Sequence, residues 1–186
     1  MIKNQELSTE LLKLISDNEE TIIPYDKIKI EDMKKNMRYK KYSIQNKKSI
    51  SDTLFLSAIL FTLTKFIYDK DILVTKLKEG SQNKFNKLII SSSIDTNITV
   101  KDYLNQMENS MAKIEQYDSN IFDEIKEQLD LNLSHFQYYY QEDSEGGDHC
   151  SNLPESNFTV LINEVNESEI KIKIFYNSNL YNEKTV

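Results

Sequence analysis

The sequence predicts a mixed α/β fold in which a single β-sheet is covered by helices. Ser51–Leu77 is an apolar helical stretch followed at once by a β-branched strand. Val100–Leu129 contains two amphipathic helical patterns in succession. Phe158–Tyr176 alternates apolar and polar residues on both sides of a short polar turn, which is typical of a β-hairpin. Strands mixed with helices in this way favour one mixed sheet with helices packed on it.

Composition sets limits on the class of protein. The 186 residues are 39% hydrophobic and 28% charged, which fits one globular domain with a sizeable core. A formal net charge of −7 argues against a nucleic-acid surface, and Gly 3 and Pro 2 argue against glycine-rich phosphate loops. The sole cysteine of the sequence, Cys150, fits a reducing cytosol, and the N-terminal residues show no apolar signal core. We therefore expect a cytoplasmic protein with neither nucleic acid nor a membrane as partner.

Three segments precede the first predicted strand. Glu6–Ser16 places its leucines and one isoleucine on a single stripe, so it predicts an amphipathic helix that covers the core. Ile22–Asp26 is expected to be extended, because the residue before Pro24 is driven away from helical geometry. Ile28–Asn36 is highly charged, and its pattern is compatible with a short helix or with a loop.

Arg38–Ile44 alternates apolar and polar residues and predicts an edge strand. Lys40 and Lys41 would protect that edge from unwanted pairing with other strands.

The stretch Leu54–Ile67 is apolar almost all the way round a helix. A membrane span needs about 20 uninterrupted apolar residues, and this run is shorter and contains Ser57 and Lys65. We therefore predict a helix buried on every side at the centre of the domain. Ser49, Ser51 and Asp52 are its candidate N-caps.

The rest of the chain reads as further strands, helices and loops. In order, these are strand Ile72–Leu77, loop Lys78–Asn86, strand Lys87–Ile94, helix Val100–Gln116 capped by Thr96 or Thr99, helix Asn120–Leu129, strand Leu131–Tyr140, loop Gln141–Pro154, hairpin strands Phe158–Val165 and Ile170–Tyr176, and a polar tail Asn177–Val186 anchored by Leu180 and Tyr181.

Residues that could carry chemistry are scarce. His135 falls in a predicted strand, where a structural role is expected. His149 lies next to Cys150, but a nucleophilic dyad needs a base that faces the sulfur and a third group that orients the base. Together with Asp148 these residues are too few for a metal site, and their role stays open. The tyrosines of Tyr138–Tyr140 fit a strand with two faces better than a ligand cage. We predict no catalytic, cofactor-binding or metal-binding residues and no cofactor.

Four phrases, in order, resemble the C-terminal half of a condensation domain of nonribosomal peptide synthetases, which has the chloramphenicol acetyltransferase-like fold. Ile22–Ile44 resembles the family's "lPtDrpRp" crossover, and Ser51–Leu77 its apolar helix and following strand. Lys87–Leu131 resembles the strand and two helices that come next, and Phe158–Val186 the closing strands and their signature. The resemblance implies one lobe of that two-lobed fold. Residues 1–21 would then be an N-terminal helix and lead-in, and 22–186 the condensation-like part of a single truncated domain.

The sequence also departs from the family. The family's motif HHxxxDG is absent. In the family, the second histidine of this motif orients or deprotonates the attacking amine. Where the family has Gly-Thr-Pro and an arginine, the strand after the central helix reads VTKLKEG, and the family's DFGxG latch is missing. The resemblance therefore implies a fold without the peptide-bond-forming activity, and no catalytic residue is transferred to this chain.

Three functions follow as expectations from the resemblance. The first is a non-catalytic platform at the N-terminus of a bacterial, antibiotic-producing synthetase, ahead of an adenylation domain that would be its partner. The second is a free-standing interaction module or homodimer. The third is half of a split enzyme completed by another chain that supplies HHxxxDG. A carrier protein domain is a further possible partner.

Overall fold

The structure of the protein, a computed structural model, describes residues 9, 11–13, 15, 21–27, 35–45, 50–80, 84–95, 97–117, 119–132, 134–141, 153–166 and 169–186. Nine helices and strands are bounded within these ranges. They are β1 (Met37–Gln45), α1 (Asp52–Ile67), β2 (Asp71–Glu79), β3 (Phe85–Ser93), α2 (Val100–Ile114), α3 (Ser119–Gln128), β4 (Phe136–Gln141), β5 (Phe158–Asn166) and β6 (Glu169–Asn177).

The six strands form one mixed sheet in the order β1-β6-β5-β4-β2-β3. Strand β4 pairs in parallel with both of its neighbours, β2 and β5. The other three pairs, β1 with β6, β5 with β6 and β2 with β3, are antiparallel. The single mixed sheet, the hairpin of β5 and β6, and the position of β1 at an edge confirm the sequence prediction. The predicted loop Lys78–Asn86 was too long. Its ends belong to strands: Lys78 and Glu79 to β2, and Phe85 and Asn86 to β3, and the two strands pair as a second hairpin.

Ser51, one of the three candidate caps, is the N-cap of helix α1. Its Oγ accepts a hydrogen bond from the Leu54 backbone N–H at 3.2 Å. Its burial corrects the prediction of a helix enclosed on every side. One face, containing Leu56 and Leu60, is buried against the rest of the domain. Phe61 and Phe66 lie on the opposite side and are 47% and 48% exposed. Helical periodicity could not reveal this, because the exposed side is as apolar as the buried one.

Helix α2 is capped by Thr99, whose Oγ1 accepts from the Asp102 backbone N–H at 3.2 Å. Its buried residues repeat at helical spacing, as predicted: Tyr103, Met107, Met111 and Ile114. Helix α3 adds Ile121, Phe122 and Ile125 to the same core.

The strand predicted from Leu131 begins only at Phe136. The reason lies at the end of α3, where Asp130 adopts a left-handed conformation with φ 51°. The Leu131 backbone N–H donates to the Lys126 carbonyl at 3.0 Å, which closes a Schellman motif. Leu131 is thus used to terminate the helix and is not available to the strand.

The N-terminal prediction is confirmed at the positions that the structure describes. Thr9, Leu11–Lys13 and Ile15 are helical, and Leu11 and Ile15 are buried in the core. Thr21–Lys27 is neither helix nor strand, as Pro24 implied. Most of Ile28–Asn36 and of the loop Gln141–Pro154 lies outside the described residues.

Replacing Tyr68 with glycine is expected to stabilise the protein by about 0.5–1 kcal/mol. Tyr68 follows α1 in a left-handed conformation with φ 59°, which costs energy for any residue with a Cβ. Its side chain is 95% exposed, so its loss removes little packing. Urea denaturation of Tyr68→Gly and of the control Lys70→Gly tests this. An equal or lower stability for Tyr68→Gly than for the wild type would contradict it.

Candidate functional site

Charged side chains meet where the start of α1 lies above β2 and β4, in a group that we call the Lys76 cluster: Asp52, Lys76, Glu115 and Tyr138. Lys76 Nζ lies 2.5 Å from Asp52 Oδ2 and 3.3 Å from Glu115 Oε1. The Tyr138 hydroxyl donates to Asp52 Oδ1 at 2.9 Å. Lys76 and Tyr138 are register partners on neighbouring strands, so both side chains point to the face on which α1 lies.

The environment of the Lys76 cluster determines what it can do. The Lys76 side chain is only 6% exposed, while those of Asp52 and Glu115 are 26% and 42% exposed. Burial, and next the Asp52 carboxylate, raise the pKa of Tyr138, so its hydroxyl stays protonated and acts as a donor. A cation held by two carboxylates, one of which also accepts a hydrogen bond from a neutral phenol, is an anchor between helix and sheet. This group contains no activated nucleophile.

Sequence reasoning missed the Lys76 cluster, although one signal was available. In a strand, residues two apart share a face, so Lys76 shares its face with Ile72 and Val74. Both of those residues are buried. A lysine at such an inward position needs a carboxylate partner, since an unpaired buried charge is very costly.

The second polar region joins the segment after Pro24 to the C-terminal tail. Leu180 and Tyr181 are buried, which confirms them as anchors of the tail. The Tyr181 ring makes an edge contact with Tyr25 at 5.7 Å between centroids, and its hydroxyl donates to the Ile23 carbonyl at 3.2 Å. The two segments that carry the start and end of the family resemblance therefore pack directly on each other.

Asp26 closes the contact between the two segments. Its Oδ2 accepts from the Thr185 hydroxyl at 2.6 Å and from the Asn182 backbone N–H at 2.6 Å. The hydroxyl donor first, and then the backbone donor, lower the pKa of the Asp26 carboxyl below its usual range.

Acid is expected to loosen the tail. Because its folded-state pKa is lowered, ionised Asp26 contributes stability that is present above about pH 4 and is lost as the pH falls through the folded-state value. Hydrogen exchange of the Asn182 amide, corrected for its intrinsic pH dependence, should therefore accelerate in that range. Asp26→Asn should give a loose tail already at pH 7, with no further acid step. An acid step of equal size in Asp26→Asn would contradict this assignment.

His135 lies just before β4, and not within a strand as predicted. Its Nδ1 is 3.4 Å from the Tyr25 hydroxyl and 3.3 Å from Asn157 Nδ2. These contacts place the imidazole between the segment after Pro24 and the start of β5. The other candidates from the sequence, Asp148–Cys150, lie outside the described residues.

Two apolar cavities flank α1. One, of about 330 Å³, lies between α1 and the strands β4 to β6, and its lining includes Phe55, Ile59 and Phe66. The other, of about 400 Å³, lies between α1 and the start of α2, beside Leu54 and Phe61. Both cavities follow from the exposed apolar sides of α1, and a hydrophobic partner would fit them better than a charged substrate.

Tyr138–Tyr140 confirms the prediction of a strand with two faces. Tyr138 and Tyr140 lie on the α1 side, where the Tyr140 hydroxyl donates to the Ile50 carbonyl at 3.0 Å. Tyr139 points to the other side, where its hydroxyl donates to Glu79 Oε1 at 2.7 Å.

Two features are absent from the described ranges. No three metal-ligating side chains converge there. No helix in that part of the chain combines the length and the apolar character needed to cross a bilayer.

Comparison with known proteins shows the fold. No family model and no curated protein matches the sequence. The structure is similar to a four-domain nonribosomal peptide synthetase bound to AMP and glycine (TM-score 0.80, 11% identity, 97% of this chain and 18% of the other). It is similar to the X-domain in complex with OxyB from teicoplanin biosynthesis (TM-score 0.78, 12% identity, 97% and 49%). It is also similar to a mutant starter condensation domain of rhizomide synthetase (TM-score 0.73, 10% identity, 99% and 48%).

These similarities confirm the fold that the sequence predicts: one lobe of the condensation-domain, chloramphenicol acetyltransferase-like architecture. The chain spans about half the length of the X-domain and starter condensation structures that it matches. At identities of 10–12% the agreement concerns the fold alone.

Proposed function

We propose that this condensation-like lobe is a non-catalytic, partial condensation domain of a nonribosomal peptide synthetase. In this proposal it serves as a structural platform for an adjacent adenylation domain in the cytoplasm. One observation carries the proposal: nearly the whole chain matches about half of a condensation domain, while its sequence lacks the HHxxxDG motif.

The histidines of the chain support the non-catalytic part of the proposal. The motif needs two consecutive histidines, and the sequence has only His135 and His149. His135 is already in contact with Tyr25 and Asn157. A general base must reach the proton of its substrate, and the His135 imidazole is half-buried with its Nδ1 beside these two side chains.

The surface of α1 supports the platform part. Leu54 and Phe61, beside one of the two cavities, and Phe66, beside the other, are 41%, 47% and 48% exposed. Apolar side chains that are exposed together on one helix are typical of protein interaction surfaces. A neighbouring domain that covers them would remove this apolar area from water, at about 25 cal/mol per Å².

Co-expression with an adenylation domain tests the platform. The adenylation domain should be more soluble, or adenylate faster, in the presence of this chain, and the gain should be lost with Phe61→Asp/Phe66→Asp. Tyr68→Asp is the matched control, because Tyr68 is an exposed aromatic residue just beyond α1 and should keep the gain. Equal yield and rate with and without the chain would contradict the platform role.

The half-length match also favours a second candidate, a split enzyme. In this case a second chain with HHxxxDG would complete the cleft and restore amide or ester bond formation. Co-purification with such a chain, and loss of condensation when it is omitted, would support the split enzyme against the platform. A stable homodimer in size exclusion with light scattering would favour the interaction module instead.

A further inference from the structure

Strand β1 is exposed to an extent that is unusual for a nine-residue strand. Eight of its residues are exposed and one is half-buried, so side chains on both faces of the strand reach water. On one face the C-terminal tail contacts the strand, where the Tyr42 hydroxyl donates to the Val186 carbonyl at 3.1 Å. Four of its side chains are among the exposed large hydrophobic residues of the described chain: Met37, Tyr39, Tyr42 and Ile44. In the described part of the chain β1 pairs with β6 alone, which leaves its other edge with backbone donors and acceptors available for pairing.

The charge of β1 is opposite in sign to that of the whole protein. The strand carries Arg38, Lys40 and Lys41 and no carboxylate, in a chain of net charge −7. None of these three cations forms an ion pair within the described residues. The Lys40 Nζ donates to the Glu183 backbone carbonyl, and the Lys41 Nζ lies 5.2 Å from the centroid of the Tyr39 ring.

The register with β6 adds further positive charge. Lys41 lies directly opposite Lys173, and Lys171 is opposite Ser43 on the same face. Like charges directly opposite each other destabilise a strand pair. Glu169, at the far end of the pair, is already hydrogen-bonded by the Ser43 hydroxyl.

We propose that the free edge of β1 binds an acidic, extended segment of a partner protein as an added strand. Its backbone would hydrogen-bond the open edge, its carboxylates would meet Arg38, Lys40 and Lys41, and its apolar side chains would cover Tyr39 and Tyr42. Since side chains on both faces of β1 are exposed, alternating acidic and apolar residues of the segment can contact them on either side. This inference does not depend on the identity of the neighbouring domain.

A second copy of the chain fits this edge poorly. Symmetric antiparallel pairing over the whole of Met37–Gln45 would place Lys41 opposite its own copy, because Lys41 is the central residue. The charge of β1 therefore favours a different, acidic strand over self-pairing.

Fluorescence anisotropy with labelled nine-residue peptides of alternating residues tests the proposal on the whole chain. We expect the glutamate–valine peptide to bind at least about tenfold more tightly than the lysine–valine peptide. Lys40→Glu/Lys41→Glu should weaken binding by a similar factor. Lys101→Glu/Lys126→Glu makes the same change in net charge on the exposed sides of α2 and α3, and it should leave affinity nearly unchanged.

Two further measurements separate strand addition from simple charge attraction. N-methylation of alternate peptide amides should weaken binding at least about tenfold, because it removes the donors that an added strand needs. Hydrogen exchange should show slower exchange for the β1 amides that point away from β6. Binding that is insensitive to N-methylation, tighter binding of a single-stranded oligonucleotide than of the acidic peptide, or self-association through β1 would each overturn the proposal.

Discussion

Replacing Lys76 with alanine is expected to lower the free energy of unfolding by about 3 kcal/mol. The substitution leaves the Asp52 carboxylate at the sheet surface without its cation, 2.9 Å from a buried phenol. Removing one partner of a buried ion pair costs about 3–5 kcal/mol, and the 26% exposure of the Asp52 side chain places the effect at the lower end. Urea denaturation at pH 7 measures the difference.

Glu115 provides the matched control for Lys76. Its side chain is 42% exposed, so Glu115→Ala should cost no more than about 1 kcal/mol. The double variant Lys76→Met/Asp52→Asn should recover much of the loss, because it removes both charges and keeps an acceptor for Tyr138. Equal costs for Lys76→Ala and Glu115→Ala would show that the cluster does not anchor α1 to the sheet.

Replacing Tyr181 with alanine is expected to cost about 4 kcal/mol. Tyr181 is 1% exposed, and its ring contacts Tyr25 and also Phe158, with centroids 5.5 Å apart in the second pair. Its removal leaves a large cavity between the tail and the segment after Pro24, and it also leaves the Ile23 carbonyl without its side-chain donor. Thermal and urea denaturation should both show the loss.

Two variants separate the packing of Tyr181 from its hydrogen bond and from general effects on the tail. Tyr181→Phe keeps the ring and should cost about 1 kcal/mol. Glu183→Ala alters an exposed tail side chain and should change stability by less than about 0.5 kcal/mol. If Tyr181→Ala cost as little as Glu183→Ala, the tail would not be part of the folded core.

The local patterns of the sequence were sufficient for most of the secondary structure. The hairpin of β5 and β6 and the edge strand β1 follow from alternation. Residue type narrowed the helix caps to a few candidates, from which the structure selects Ser51 and Thr99. The order of the strands in the sheet could not be predicted in this way. Nothing in the local pattern places β1 next to the last strand, or β4 between β2 and β5, because sheet order is set by contacts between residues far apart in sequence.

The errors in prediction have specific physical causes. Helix α1 was expected to be buried all round because Phe61 and Phe66 are as apolar as Leu56 and Leu60. Composition cannot distinguish a side that faces the core from one that faces solvent. Leu131 was predicted to begin a strand. It belongs instead to the C-terminus of α3, because Asp130 is left-handed and the Leu131 backbone N–H bonds back to the helix.

The candidate site was predicted less well than the fold. Lys76 and Asp52 are 24 residues apart in sequence, and Asp26 and Thr185 are 159 apart. Each pair forms only when the sheet is assembled, so no short sequence motif indicates either contact. The position of β1 at an edge of the sheet was predicted. The concentration on it of aromatic rings and of cations that form no ion pair within the described residues became visible only with the sheet order.

The chain has a condensation-domain fold, and our proposal is that it acts by binding, without forming bonds itself. The most direct test incubates the chain at stoichiometric concentration with an aminoacyl thioester on a carrier protein and an amine acceptor, and measures amide product by mass spectrometry. An intact condensation domain that contains HHxxxDG serves as the positive control. We predict no product above the uncatalysed background with this chain. Product that increases with its concentration, and that His135→Ala abolishes, would contradict the account.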